Sequence, residues 1–235
     1  MPLQNRVDPF GAIVASPARG LFTGNRGVIH DPDTKTLMRR RWSTPHWLVC
    51  ALDFNDRPPR DVMGRNARRP GGPLRTGWTE LFFLDEVTAL AAGHRPCFYC
   101  RREAAKRFAS AFADAFGTAM PKVAEIDGRL HAERLAAGAA PRPLTETEVR
   151  ALPDGAVVAL GERPFAVRRG ALLPWSFGGY GAPPPACRSL PDGIALVTPP
   201  TTVAVLRAGY RPVWHPSAGE SPHPAQRETG VAASG

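Results

Sequence analysis

Apolar and polar positions change their rhythm twice along the chain. "LFTGNRGVIHDPD" (21 to 33) predicts a glycine-bearing turn into a short strand with His30 at its end, closed by Asp-Pro-Asp. "HWLVCALDF" (46 to 54) is a solid apolar run with aromatic and β-branched residues, which predicts a buried strand carrying Cys50. "TELFFLDEVTALAAGHRPC" predicts a strand through Phe83, then a short helix with Asp85 as N-cap and Gly93 as C-cap. In "RREAAKRFASAFADAFG" the spacing becomes helical: Phe108, Phe112 and Phe116 recur every four residues, giving one apolar face and a basic start. "KVAEIDGRLHAERL" predicts another helix and "LTETEVRAL" the start of one more. After residue 151 the runs shorten to strands, "LPDGAVVAL", "RPFAVRRGALLPW" and "GIALVTPP", separated by Pro-Asp-Gly and Gly-Gly turns, with a last helix from Thr201.

These elements define an α+β fold: an N-terminal α/β module with helices, followed by a small β-rich domain. The expected division is an N-terminal segment (1–18), the module with its helical extension (19–135), a Pro/Ala linker (136–150), the β-rich domain (151–217) and a disordered polar tail (218–235). The Arg/Pro/Gly stretch 57–77 reads as a long exposed connection. "TALAAGHRPC" is echoed by "TVAVLRAGYRP", each a helix ended by glycine and followed by Arg-Pro, which predicts a shared helix exit.

Charge adds a candidate partner. The 235 residues carry a net +9, and residues 39–75 alone hold nine Arg against three Asp. A basic segment of this kind suits nucleic acid. Arg39, Arg40, Arg41, Arg68 and Arg69, with Arg95, Arg101, Arg102, Lys106 and Arg107 beyond them, are the candidate phosphate contacts, and DNA is expected before RNA. No apolar run approaches the length that crosses a bilayer and no leader pattern opens the chain, so a soluble cytoplasmic protein is expected, with no membrane partner.

Four cysteines are too few for a disulfide framework in 235 residues. Cys97 and Cys100 form a Cys-x-x-Cys pair at a turn, the usual half of a tetrahedral zinc site. A thioredoxin-like redox pair would sit at a helix start in a βαβ context, whereas here a helix precedes the pair. The segment "FFLDEVTALAAGHRPCFYCRRE" resembles the end of the zinc-binding domain of the Ada methylphosphotriester repair family: an aromatic strand, a short Ala-rich helix, then Gly-aromatic-Arg-Pro-Cys-x-x-Cys. "FTGNRGVIH" is similar to the entry of Ada-like modules attached to nucleases. The resemblance spans about residues 20–105 with a large insertion. It implies Zn2+ as cofactor, with Cys97 and Cys100 as the late ligand pair. The family's early cysteine pair is absent, and Cys50 and His30 are the substitutes that would complete a Cys3His set. His46, on the same strand face as Cys50, is the rival fourth ligand, and His94 takes the family's aromatic position.

Three further features carry chemistry. Asp127 and His131 lie at i and i+4, where a carboxylate can orient an imidazole, although a solvated ion-pair face is the commoner use of such spacing. Trp175, Phe177 and Tyr180 surround two glycines, either as a stacking surface or as a plug closing a small barrel. Cys187 has no partner nearby in sequence. The expected function is zinc-dependent nucleic-acid binding without defensible catalysis. The alternatives are alkyl transfer to a zinc-activated thiolate, hydrolysis from the Asp127/His131 helix, or a structural zinc knot that presents the β-rich domain to a protein partner.

Overall fold

The computed structural model describes residues 1–54, 61–68, 71–136, 143–183 and 190–219. The first half runs through β1 (Gln4–Val7), β2 (Ile13–Ala15), β3 (Phe22–Asn25), β4 (His30–Asp31), β5 (Thr36–Leu37), β6 (Leu48–Ala51), β7 (Ala67–Arg68), β8 (Leu74–Arg75), β9 (Leu81–Phe83), α1 (Glu86–Ala91), β10 (Arg95–Pro96), α2 (Arg102–Phe116) and α3 (Val123–Ala136). The second half adds α4 (Glu146–Arg150), β11 (Val157–Leu160), β12 (Arg163–Arg168), β13 (Ala171–Ser176), β14 (Gly179–Tyr180), β15 (Ile194–Leu196) and α5 (Pro200–Arg207). The fold is α+β, as the apolar pattern predicts.

Six strands form one mixed sheet in the order β10-β6-β3-β9-β1-β2. Residues 1–18, read from the sequence as a flanking segment, supply two of these strands. Val7, Val49, Leu81 and Phe83 turn one face of the sheet inward against Ala89 and Ala92. Gly24 lies where β3 meets β6: a Cβ there would sit 2.1 Å from the Leu48 carbonyl oxygen, so only glycine permits the approach. The parallel pairing of β10 with β6 sets Arg95 opposite Leu48 and Pro96 opposite Val49, which delivers the Cys97 turn beside Cys50. The stretch 57–77 contains the β7/β8 hairpin, and residues 55–60 and 69–70 lie outside the described residues.

The phenylalanine stripe of α2 does roof a core. Phe108 and Phe112 pack with Ile126 and Leu130 of α3 and with Val205, Leu206 and Tyr210 at α5. A five-stranded antiparallel sheet, β14-β13-β12-β11-β15, presents Val157, Ala166 and Leu173 to Leu84, Val87 and Ala91 around α1. Helix α1 is therefore buried on all sides, which explains why all six of its residues are apolar or internally bonded.

Two carboxylates at its start join the halves of the chain. Asp85 caps α1, accepting from the Thr88 N–H at 2.9 Å and the Thr88 hydroxyl at 2.8 Å, and its other oxygen accepts from the Tyr180 hydroxyl at 2.8 Å and the His215 N–H at 3.0 Å. Burial raises the Asp85 carboxyl above its ordinary range against these hydrogen bonds. Glu86 accepts from the Arg101 guanidinium at 2.7 Å, the Tyr210 hydroxyl at 2.6 Å and the Val213 N–H at 2.9 Å. Trp175 donates its indole N–H to the Thr88 hydroxyl, so Trp175 and Tyr180 face α1 and close the small sheet against it.

The echoed helix exits share one geometry. In α1 the Gly93 N–H bonds the Leu90 carbonyl and the His94 N–H bonds the Ala89 carbonyl; at α5 the Gly209 and Tyr210 N–H groups bond Leu206 and Val205 in the same way. Both are Schellman endings, with Gly93 at φ +81° and Gly209 at φ +109°.

Candidate metal centre

Cys50 projects from β6, and Cys97 and Cys100 from the turn between β10 and α2. The Cys97 N–H bonds the Val49 carbonyl at 3.1 Å, extending the β10/β6 ladder by one step and fixing Cys97 against its neighbour strand. The turn is closed by the Arg101 N–H on the Cys97 carbonyl at 3.0 Å and by the Tyr99 N–H on the Cys97 sulfur at 3.4 Å. The three sulfurs lie within 4.8 Å of one another. Zinc bound at about 2.3 Å to each of three tetrahedral thiolates needs sulfurs about 3.8 Å apart, so the cluster fits such an ion with small rotamer adjustment.

Cys97 is buried and the other two are half-buried. Hydrogen bonds from the Cys100 and Cys50 thiols hold the Cys97 thiol far below its ordinary range, helped by the Cys100 and Tyr99 N–H groups. The same sulfur contacts, followed by burial, push the Cys50 thiol far up. Three thiols this close compete for protons, which a divalent cation would replace.

His30 is a correction to the sequence reading. It is fully buried on β4, outside the cysteine cluster, with its Nδ1 2.6 Å from the Thr79 hydroxyl. His94 is buried as well, its Nδ1 on the Leu48 carbonyl at 3.1 Å and its Nε2 accepting from the Arg26 Nε at 3.0 Å. Burial, then the nearby Arg26 charge, holds His94 well below the ordinary imidazole range, so it is neutral. His46 bonds Asp127 through Nδ1 at 2.6 Å. Among the described residues the metal-capable group is therefore the three cysteines; Cys187 lies outside the described residues.

Two of the candidate phosphate contacts are also corrected. Arg95 is buried and grips Asp127 with two 2.7 Å hydrogen bonds, and Arg101 is buried against Glu86 with its guanidinium over the Phe22 ring. Arg39, Arg40, Arg41 and Arg102 are exposed, as are Lys106 and Arg107 on the first turns of α2. The Arg68 side chain and Arg69 lie outside the described residues.

The sequence spacing pairs Asp127 with His131, but the fold gives Asp127 to His46 and sets His131 edge-on to Trp42 at 4.8 Å. The available signal was a charged residue on the apolar face of α3, between Ile126 and Leu130, where a long-range partner is required. Comparison of the chain with protein-family models, with curated proteins and with solved structures finds no match in any of the three. Among the described residues, no helix is long and apolar enough to cross a membrane.

Proposed function

We propose that the protein binds zinc through Cys50, Cys97 and Cys100 and engages nucleic acid, DNA in preference to RNA, through the basic surface beside that centre. The observation that carries this reading is the convergence of three sulfurs from a strand and a turn whose nearest cysteines, Cys50 and Cys97, are 47 residues apart in sequence. In this reading residues 20–105 form an Ada-like module in which Cys50 stands in for one of the family's early cysteines.

Zinc would tie β6 to the turn that launches α2, and so fix the direction in which Arg102, Lys106 and Arg107 leave the surface. The exposed Arg39–Arg41 run adds charge from the β5/β6 connection. Tyr99, between the two cysteines, is 66% exposed and meets Phe54 edge-on at 5.2 Å, offering an aromatic face on which a base can stack.

Fluorescence anisotropy with labelled duplex DNA, single-stranded DNA and RNA, repeated from about 50 to 200 mM salt, tests the reading. Binding should weaken steeply with salt, and replacing Arg39, Arg40 and Arg41 together by Ala should reduce the log–log salt slope by roughly 2 to 3. Affinity that is flat in salt, or unchanged in the triple variant, contradicts it.

A further inference from the structure

We propose that His46 is a proton-transfer site for phosphodiester cleavage, with Asp127 as its positioning residue. The inference rests on the reading that this face meets nucleic acid, and it adds an activity to it.

Asp127 is 2% exposed, on the inner face of α3. Arg95 grips it there as a bidentate partner: Nε bonds Oδ1 and Nη2 bonds Oδ2, each at 2.7 Å. A carboxylate held by a bidentate guanidinium has lost its freedom to turn. His46 Nδ1 lies 2.6 Å from Oδ2 of that fixed group. An ionised carboxylate accepts only, so His46 donates through Nδ1, and the neutral ring carries its lone pair on Nε2.

The imidazole is anchored on one side and open on the other: the His46 side chain is 53% exposed, against 3% for its partner. Its backbone is held too, because Arg134 donates to the carbonyl of Pro45 at 2.7 Å and to that of Gly93 at 2.7 Å. Trp42, edge-on to His131, pins the same connection to α3 four residues earlier. A contact serving only to dock this connection needs no imidazole tautomer and no open ring edge. A ring fixed through Nδ1, with Nε2 bonded to none of the described residues, is the arrangement that general-base catalysis requires.

The substrate class follows from the same connection, which carries the exposed Arg39, Arg40 and Arg41. In the step, a water gives a proton to His46 Nε2 while its oxygen bonds phosphorus. The P–O bond to the leaving group breaks, and the leaving oxygen takes the proton back from the imidazolium. Water and a phosphodiester become a phosphomonoester and an alcohol.

The test uses the full chain with bis(4-nitrophenyl) phosphate and with labelled DNA and RNA strands, alongside the binding assay above. Hydrolysis above buffer should fall on the order of 100-fold in His46→Ala and recover in part with added imidazole, while His46→Gln stays inactive. Asp127→Asn should lower kcat with KM nearly unchanged. Nucleic-acid binding should survive in His46→Gln. Circular dichroism and the thermal midpoint check that each variant is folded. Binding without hydrolysis of any of the three probes overturns this proposal and leaves the binding reading standing; so does hydrolysis that survives His46→Gln, or loss in His46→Ala that imidazole does not restore. Loss of both binding and hydrolysis in the wild type overturns both.

Discussion

At the scale of single residues, the buried charges divide into pairs that need each other and groups that burial has neutralised. Asp127 and Arg95 belong to the first kind. Asp127→Ala leaves a guanidinium buried without its counter-charge, and stability should drop by about 3–5 kcal/mol in urea denaturation. Replacing both at once, Asp127→Ala with Arg95→Met, should recover part of that loss. A single variant as stable as the wild type would show that solvent reaches Arg95. His94 belongs to the second kind, held below its ordinary value of 6.5 by burial and then by Arg26. The unfolded chain takes up a proton near pH 6.5 and the folded chain does not. Stability credited to the neutral ring is therefore complete above pH 6.5 and drains as pH falls below it, by up to about 1.4 kcal/mol per unit. Denaturation at pH 7, 6 and 5 should show this slope, flattened in His94→Asn; equal slopes would place the titration elsewhere. The sequence disclosed some of these roles. Asp85 stands just ahead of the Glu-Val-Thr-Ala-Leu run and could be read as a cap, and Cys97/Cys100 as a metal pair. The burial of His30, Arg95 and Arg101 was not legible, because it depends on Thr79, Asp127 and Glu86, partners 49, 32 and 15 residues away.

At the scale of elements, helices were read well where periodicity was strong, and strands poorly where pairing alone sustains them. The Phe108/Phe112/Phe116 stripe gives α2 its place whatever surrounds it. "QNRV" and "RP" have no strand pattern of their own, and become strands only through pairing, β1 with β2 and β9, and β10 with β6. Glycine at the α1 exit was legible, and the reason for it is now specific. Gly93 lies at φ +81°, and a Cβ there would meet the Arg134 Cδ at 2.9 Å. Gly93→Ala adds left-handed strain and displaces the side chain that holds Pro45, so it should cost about 1–2 kcal/mol. Thermal unfolding measures this directly. A neutral result would mean that the Schellman ending can be rebuilt without positive φ.

At the scale of the whole molecule, one side chain links the cysteine cluster to the acids at the start of α1: Cys100 precedes Arg101, which bonds Glu86, which accepts from Tyr210 and Val213. The cysteine cluster thus sits at one end of a hydrogen-bonded chain that reaches the C-terminal half. Zinc that binds only the folded protein would stabilise the whole of it by mass action, and chelation would be felt as far as α5. The direct measurement is the zinc content of the 235-residue chain by elemental analysis, for wild type, Cys50→Ser and Cys97→Ser, with thiol titration alongside. About one zinc per chain in the wild type, lost in both variants and accompanied by a lower thermal midpoint, is the expected result. A wild-type protein with no bound metal after zinc loading, and with all three thiols titrating freely, would contradict it.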